Sequence, residues 1–200
     1  MIFIEILIVK IVLAAILTVV GSIWIDKLYL NCEELTFPEE ISRRARFRKP
    51  ILFFALTFFT LTGDFWIIAA IFLLVLMIVT DFEQYMLFDA MTFPLAAIGA
   101  VFAWQNSILT ENFFAAIVGG GIFFLLAIIS KGSLGGGDIK LIFALGFWLG
   151  AEKLLNVVLF GAIFGGVAAV VMILLKKKDR KSFFAYGPYF ALSAIYFLLK

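Results

Sequence analysis

The sequence has 200 residues, of which 64% are hydrophobic and only 15% are charged, with a formal net charge of +2. An average soluble protein is roughly 45–50% apolar and about 25% charged, and a soluble domain of this length has too little interior to bury so much apolar surface. The composition therefore excludes a soluble globular protein and indicates an integral membrane protein whose solvent is lipid.

The rarest residue types limit the chemistry that the chain can perform. It contains no histidine and a single cysteine, Cys32. Nucleophile pairs that need histidine, His-ligated metals, internal disulfides and Cys-rich zinc sites are therefore excluded. We expect no metal and no cofactor, and any acid–base catalysis must use carboxylates, lysine or tyrosine.

Apolar stretches that approach the length needed to cross a bilayer core of about 30 Å recur along the chain. They predict eight transmembrane helices, two of them short, at about residues 2–25, 50–62, 65–80, 90–104, 113–130, 139–149, 154–175 and 184–199. The predicted fold class is all-α, a polytopic membrane helical bundle that forms a single integral membrane domain over residues 1–200. Within it, residues 1–49 supply the first helix and a short cytoplasmic loop, and residues 50–200 form the helical core.

Positive charge is distributed unequally between the two sets of loops. One set contains 12 of the 16 Lys and Arg residues, and the opposite set contains only Lys153. The twelve are Lys27, Arg43, Arg44, Arg46, Arg48, Lys49, Lys131, Lys176, Lys177, Lys178, Arg180 and Lys181. Because basic loops stay in the cytoplasm, we expect this side to be cytoplasmic and both termini to lie outside. The basic runs are short and close to the membrane, which predicts contact with the lipid bilayer and no binding of nucleic acid.

Glycines recur in the predicted fifth and seventh helices, at residues 119–121 and at Gly161 and Gly165. Small residues let helix backbones approach closely in a membrane. We expect these glycines to pack helices together, and a lateral gate for a substrate is the alternative.

Two carboxylates are placed where a charged group is costly and is therefore a functional candidate. Asp81 ends the predicted third helix, and Asp138 opens the predicted sixth helix directly after Gly135, Gly136 and Gly137. Both are predicted at the cytoplasmic membrane boundary on different helices. Since packed helices are 8–10 Å apart, the two carboxyl groups could come within hydrogen-bond range. The glycines leave room for an extended peptide to approach the backbone.

A pair of adjacent carboxyl groups can hydrolyse a peptide bond without histidine, cysteine or metal. Like charges a few ångströms apart cannot both ionise cheaply, so the two groups share one proton. The ionised group activates water and the protonated group polarises the carbonyl, and the pair titrates as a unit. Spacing alone leaves a structural alternative open, in which Asp138 caps its helix and Asp81 is simply an interfacial residue.

Three segments carry a family resemblance. Residues 81–89 read Asp-Phe-Glu-Gln-Tyr-Met-Leu-Phe-Asp, residues 135–141 read Gly-Gly-Gly-Asp-Ile-Lys-Leu, and residues 186–191 read Tyr-Gly-Pro-Tyr-Phe-Ala. They resemble three motifs of the type IV prepilin peptidases, the GxGD-type intramembrane aspartyl proteases of bacteria: Asp-x-(Asp/Glu)-x-x-x-Leu-Pro-Asp, Gly-x-Gly-Asp-x-Lys-Leu and Phe-Gly-Pro-Phe. Gly21 and Ser22 also match the end of that family's first helix.

The resemblance implies the GxGD aspartyl protease fold and matches Asp81 and Asp138 to the catalytic pair. It also implies a set of supporting positions, which are the motif glycines and lysine, two accessory acidic residues and the Gly-Pro pair. These are Gly135, Gly136, Gly137, Lys140, Glu83, Asp89, Gly187 and Pro188. Residues 50–200 then correspond to the peptidase core.

The function implied by the resemblance is an endopeptidase of the bacterial cytoplasmic (inner) membrane, with its active site facing the cytoplasm. Its partner is the N-terminal segment of a type IV prepilin or pseudopilin. The basic leader of that substrate lies in the cytoplasm and its apolar helix lies in the bilayer, with cleavage just before the helix.

The sequence departs from the family in three respects. Ile25 stands where the family's Gly-Ser-Phe-x-Asn pattern has asparagine. Phe88 stands where the family has proline. Many members also carry a long cytoplasmic domain with two Cys-x-x-Cys pairs after the first helix, whereas the loop over residues 26–49 contains Cys32 alone. A metal-bound domain of that kind is not expected, which argues against the N-methyltransferase activity of full-length members.

Two other classes of function stay open at this point. In a membrane phosphotransferase acting on a lipid phosphate, Asp81, Glu83 and Asp89 would hold Mg²⁺ through oxygen ligands, although the strict phosphate motifs are absent. A cation carrier would use the paired carboxylates as its site, and we find no internal repeats of the kind that carriers show. A catalytically inactive family member is a further alternative, and the sequence predicts no oligomeric state.

Overall fold

The fold is taken from a computed structural model that describes residues 2–60, 64–130, 134–175 and 185–200. Within these ranges the chain is helical and contains no strand. The helices are α1 (Ile2–Leu30), α2 (Ile41–Arg44), α3 (Arg48–Thr60), α4 (Phe65–Gln84), α5 (Asp89–Gln105), α6 (Leu109–Ile129), α7 (Gly136–Leu174) and α8 (Gly187–Leu199). Short 3-10 turns at Pro38–Glu40 and Ala45–Phe47 flank α2. The predicted all-α class is confirmed.

Four of these helices, α1, α4, α6 and α7, are long and apolar enough to cross a membrane, and α8 is a shorter apolar helix. Large apolar side chains such as Val9, Ile129 and Leu174 are exposed on their outer faces. A soluble monomer rarely exposes so much contiguous apolar surface, so this surface suits a polytopic membrane protein. The count of eight spans stays a prediction, and so does the sidedness, because Lys131 and the basic run 176–181 lie outside the described residues.

The predicted sixth and seventh spans form one helical run, α7, which is broken at Gly150. The φ of 66° and ψ of −178° at Gly150 belong to a backbone region that is essentially reserved for glycine. A break frees carbonyl groups that the helix would otherwise satisfy. The buried Asn112 of α6 donates through Nδ2 to the carbonyl of Phe147 at 2.7 Å, so one freed carbonyl is paired inside the protein.

Helix α7 organises the bundle because it packs against α5, α6 and α8. Helix α4 contacts α3, α5 and α8, and α1 packs mainly on α3. The centre is filled by fully buried aliphatic side chains from α4 and α7, among them Leu74, Leu76, Leu141 and Leu145. Consequently the end of α4 and the start of α7 are held by the same core.

Glycines provide the closest helix approaches, as predicted for α6 and α7. A Cβ atom placed on Gly119 would lie 2.6 Å from the Leu154 side chain, and one on Gly165 would lie 2.8 Å from the Tyr186 ring. The tightest crossing joins α6 to α7, where a Cβ on Gly146 would lie 2.5 Å from the backbone nitrogen of Ala116. The predicted packing role is confirmed for Gly119, Gly120, Gly161 and Gly165 and is wrong for Gly121, where a Cβ would meet no atom within 4 Å.

The crossing at Gly146 yields a stability prediction. Gly146→Ala forces the backbones of α6 and α7 apart, and overpacking of this kind costs about 1–3 kcal/mol. Gly121→Ala is the matched control, because a Cβ there meets no atom within 4 Å and both changes gain the same helix propensity. We expect thermal unfolding in one detergent to show a lower midpoint for Gly146→Ala only. Equal midpoints for the two variants would contradict the close approach.

Candidate functional site

The last turn of α4 carries two of the acidic residues singled out by the sequence. Asp81 and Glu83 are 5% and 6% exposed, and Gln84 is fully buried. The helix ends where Tyr85 adopts a left-handed conformation, with φ 54° and ψ 37°, and donates its N–H to the carbonyl of Asp81 at 2.9 Å. A left-handed residue commonly closes a helix C-terminus. The backbone therefore changes direction at Tyr85, and the segment from Tyr85 to Phe88 connects α4 to α5.

The carboxyl group of Asp81 lies against the first residue of α8. A Cβ placed on Gly187 would lie 2.6 Å from Oδ2 of Asp81, so α8 can come this close only because residue 187 has no side chain. Pro188 follows in the first turn of α8, where its fixed φ suits a helix start. The structure thus brings the C-terminal Gly-Pro motif to Asp81.

Asp138 lies in the first turn of α7. The helix begins at Gly136 and its N-cap residue is Gly135, so Asp138 stands at the third helical position and is not itself the N-cap residue. The N–H of Asp138 donates to the carbonyl of Gly135 at 3.1 Å. A Cβ placed on Gly135 would lie 3.4 Å from Oδ2 of Asp138. The carboxyl group is thus half-buried beside the exposed glycine turn.

Leu87 connects the two aspartate-bearing elements. A Cβ placed on Gly137 would lie 2.8 Å from Cβ of Leu87, and one on Gly187 would lie 3.2 Å from its Cδ1. The leucine side chain therefore lies between the turn that precedes Asp138 and the turn against which Asp81 packs. All three motif segments meet around Leu87, while direct pairing of the two carboxyl groups stays a prediction.

Asp89 and Lys140, two of the predicted supporting residues, form an ion pair. Nζ of Lys140 lies 2.6 Å from Oδ1 and 2.8 Å from Oδ2 of Asp89, and both side chains are about half exposed. An exposed pair of this kind adds little stability. Its effect is geometric, because it joins the first residue of α5 to the first turn of α7 beside Asp138.

Glu83 is held by partners that the sequence reasoning did not identify. Arg48, only 3% exposed, donates through Nε to both carboxylate oxygens at 2.9 and 3.1 Å and through a terminal nitrogen to Oε2 at 2.6 Å. The hydroxyl of Tyr29 donates to Oε2 at 2.9 Å. Arg48 also pairs with Asp26 of α1. In the sequence Arg48 counted only as one cation among twelve, and no local pattern marks it as the partner of Glu83.

The loop between α1 and α3 is bound to the end of α4. Arg44 donates to the carbonyl groups of Phe82 and Glu83 at 3.5 and 3.3 Å. Gln84 exchanges two hydrogen bonds with the backbone of Phe37, at 2.8 and 3.2 Å. Arg44 also donates to Glu40 at 2.8 Å, and this hydrogen bond holds the pKa of the Glu40 carboxyl below its usual range. The basic loop therefore lies on the same side of the bundle as Asp81.

The carboxylates considered for Mg²⁺ binding are not gathered into one group. Glu83 is paired with Arg48, and Asp89 is paired with Lys140. Within the described ranges, no three or more Asp, Glu or Cys residues come together in a way that could hold a metal ion. The arrangement offers no support for the Mg²⁺-dependent phosphotransferase alternative.

Comparison with known proteins identifies the family of this chain. The model of the type IV leader peptidase family matches residues 67–170. A prepilin leader peptidase/N-methyltransferase of Pectobacterium carotovorum subsp. carotovorum is 33% identical over 134 residues, which are 62% of this chain and 47% of that protein. The protein of the same description from Escherichia coli K12 is 30% identical over 124 residues (58% and 55%), and that of Neisseria gonorrhoeae is 34% identical over 115 residues (54% and 39%).

The chain spans about half the length of the curated relatives it matches. No solved structure matches it significantly. The residues matched by the family model form more than half of the chain and include Asp81, Leu87, Asp138 and Lys140. Gly187 lies beyond the matched range, and its contact with Asp81 is known from the fold alone. The chain belongs to the type IV leader peptidase family.

Proposed function

We propose that the protein is an aspartic endopeptidase that removes the basic leader of a type IV prepilin or pseudopilin, with Asp81 and Asp138 as its catalytic pair. The observation that carries the proposal is the meeting of α4, α7 and α8 around Leu87, in a chain of this family. Asp81 lies at the end of α4 against Gly187, and Asp138 directly follows Gly137, against which Leu87 packs, in the first turn of α7.

The reaction needs only the two carboxyl groups and water. The ionised carboxylate takes a proton from water while the water oxygen bonds to the scissile carbonyl carbon, and the protonated carboxyl donates a hydrogen bond to the carbonyl oxygen. Collapse of the tetrahedral intermediate breaks the C–N bond, and the carboxyl group that took a proton from water donates that proton to the departing amine. Either aspartate can start as the base, because the pair titrates as a unit.

The surroundings of Asp138 suit a peptide substrate. Gly135 and Gly136 are exposed, and a Cβ on Gly136 would meet no atom within 4 Å, so an extended backbone has space beside the carboxyl group. The lipid-facing helices leave the apolar helix of the substrate in the bilayer while its leader reaches this turn. The Lys140–Asp89 pair and Pro188 support the turns on either side.

The site is proposed to face the cytoplasm of a bacterial inner membrane, with both termini on the opposite side. Support comes from the basic loop, whose Arg44 contacts the end of α4 while Arg43 and Lys49 are exposed, since basic loops stay in the cytoplasm. The relatives' names include N-methyltransferase activity. That activity is not part of the proposal, because the loop after α1 contains Cys32 alone and is bound to α4.

The catalytic pair gives the first functional prediction. Asp81→Asn and Asp138→Asn each remove an ionisable carboxyl at constant shape, and we expect leader cleavage to fall by at least about 100-fold, the lower range for acid–base catalysis. The assay is cleavage of a prepilin peptide by membranes that contain equal amounts of each variant. Asp64→Asn is the matched control, because asparagine caps α4 as well as aspartate does. Normal cleavage by either catalytic variant would refute the assignment.

The contact between α8 and Asp81 gives a second prediction. Gly187→Ala places a methyl group 2.6 Å from Oδ2 of Asp81, so the carboxyl must move, and displacement of a reacting group by about 1 Å can cost about 100-fold in rate. We expect kcat to fall at least tenfold. Gly166→Ala serves as the control because its Cβ would meet no atom within 4 Å. Wild-type kcat for Gly187→Ala would show that this contact does not set the position of Asp81.

A further inference from the structure

The buried ion pair between Arg48 and Glu83 joins three helices next to the candidate site. Arg48 begins α3, Glu83 lies in the last turn of α4, and α1 supplies Asp26 and Tyr29 to the same cluster. Both carboxylate oxygens of Glu83 accept from Arg48, and Oε2 also accepts from Tyr29. The pair is therefore bidentate and buried.

Stability alone does not account for a pair of this kind. Removing two charges from water costs several kcal/mol per ion, and apolar residues of similar volume are often as stable or more so. A buried bidentate pair does, however, define one relative position of the elements that carry it.

The group positioned by Glu83 is Asp81. The two residues are separated by two positions on an α-helix of 3.6 residues per turn, so their side chains project about 200° apart around the axis. Glu83 points to Arg48, while Asp81 points to Gly187 at the start of α8. Any rotation of the last turn of α4 would move both side chains together, so fixing one fixes the other.

Further contacts prevent this turn from fraying. The last carbonyl groups of a helix have no partner within the helix, and those of Phe82 and Glu83 accept from Arg44. The side chain of Gln84 is bound to the backbone of Phe37. Residues 82–84 are thus all held by the segment between α1 and α3.

We propose that Arg48 is a positioning residue that, through Glu83, sets the rotation of the last turn of α4 and hence the direction of the Asp81 carboxyl. The inference rests on the proposed function and deepens it. In this proposal, the segment over residues 31–48 orients Asp81, one of the two proposed catalytic residues. Arg48 itself contacts neither substrate nor Asp138 in this assignment.

The decisive variant is the double substitution Arg48→Met with Glu83→Gln. It removes both charges, leaves no buried unpaired ion and keeps an acceptor for the Tyr29 hydroxyl. We expect the unfolding midpoint in detergent to stay within a few degrees of the wild type. Since the anchor is lost, we expect kcat for leader cleavage to fall about 10- to 100-fold with KM changed less than about threefold. Wild-type kcat in this variant would overturn the proposal.

Two single substitutions keep the test decisive if the double variant fails to fold. Glu83→Gln and Asp26→Asn each remove one carboxylate charge from the same guanidinium group, but only Glu83 belongs to α4. We expect Glu83→Gln to lower kcat several-fold and Asp26→Asn, whose side chain is more than half exposed, to leave it unchanged. Equal effects of the two would show that Arg48 does not act through α4.

A measurement independent of activity separates this proposal from the proposed function. Amide hydrogen exchange in the wild type and in the Arg48→Met/Glu83→Gln variant reports on the Tyr85 N–H, which bonds to the Asp81 carbonyl. We expect faster exchange at residues 81–85 and no change at the start of α4. Unchanged exchange would refute positioning by Arg48 even if leader cleavage is confirmed, and failure of Asp81→Asn to block cleavage would refute the function while leaving the exchange result intact.

Discussion

The guanidinium–carboxylate pair of Arg48 and Glu83 is the interaction on which the end of the bundle that carries Asp81 depends. Near a bilayer a buried charge must be paired inside the protein, because no water is available to solvate it. Here the pairing is satisfied only when α1, α3 and α4 meet in one arrangement. The loop between α1 and α3 then acts as a structural part of the site, since its Arg44 and Phe37 close the end of α4.

On the other side of the site, glycines allow the helices to approach each other closely. Glycine at position 187 allows α8 to approach Asp81, and glycine at position 137 allows α7 to approach Leu87. Because lipid supplies no hydrophobic force between helices, close backbone packing has to provide much of the association. The Arg48–Glu83 pair and the glycine contacts thus position the two sides of the candidate site by different physical means.

Much of the architecture could be predicted because lipid imposes simple rules on composition. The all-α class followed from the length and recurrence of the apolar stretches, and the Lys140–Asp89 pair joined two residues already marked by the motifs. The break at Gly150 and the pairing of Arg48 with Glu83 could not be predicted, because each depends on a distant residue. Asn112 stabilises the break from α6, and the partner of Arg48 is Glu83, which lies 35 residues further along the chain in α4. Local patterns do not specify such long-range pairings.

The contact of Gly187 with Asp81 also has a consequence for biogenesis. The ribosome delivers α4 to the membrane well before it delivers α8, so the newly inserted Asp81 lacks the wall that α8 later provides. Long-range contacts of this kind form only after the intervening chain has been made. The surroundings of Asp81 are therefore complete only when α8 has docked onto α4. The order of synthesis thus delays completion of the candidate site until α8 has been made.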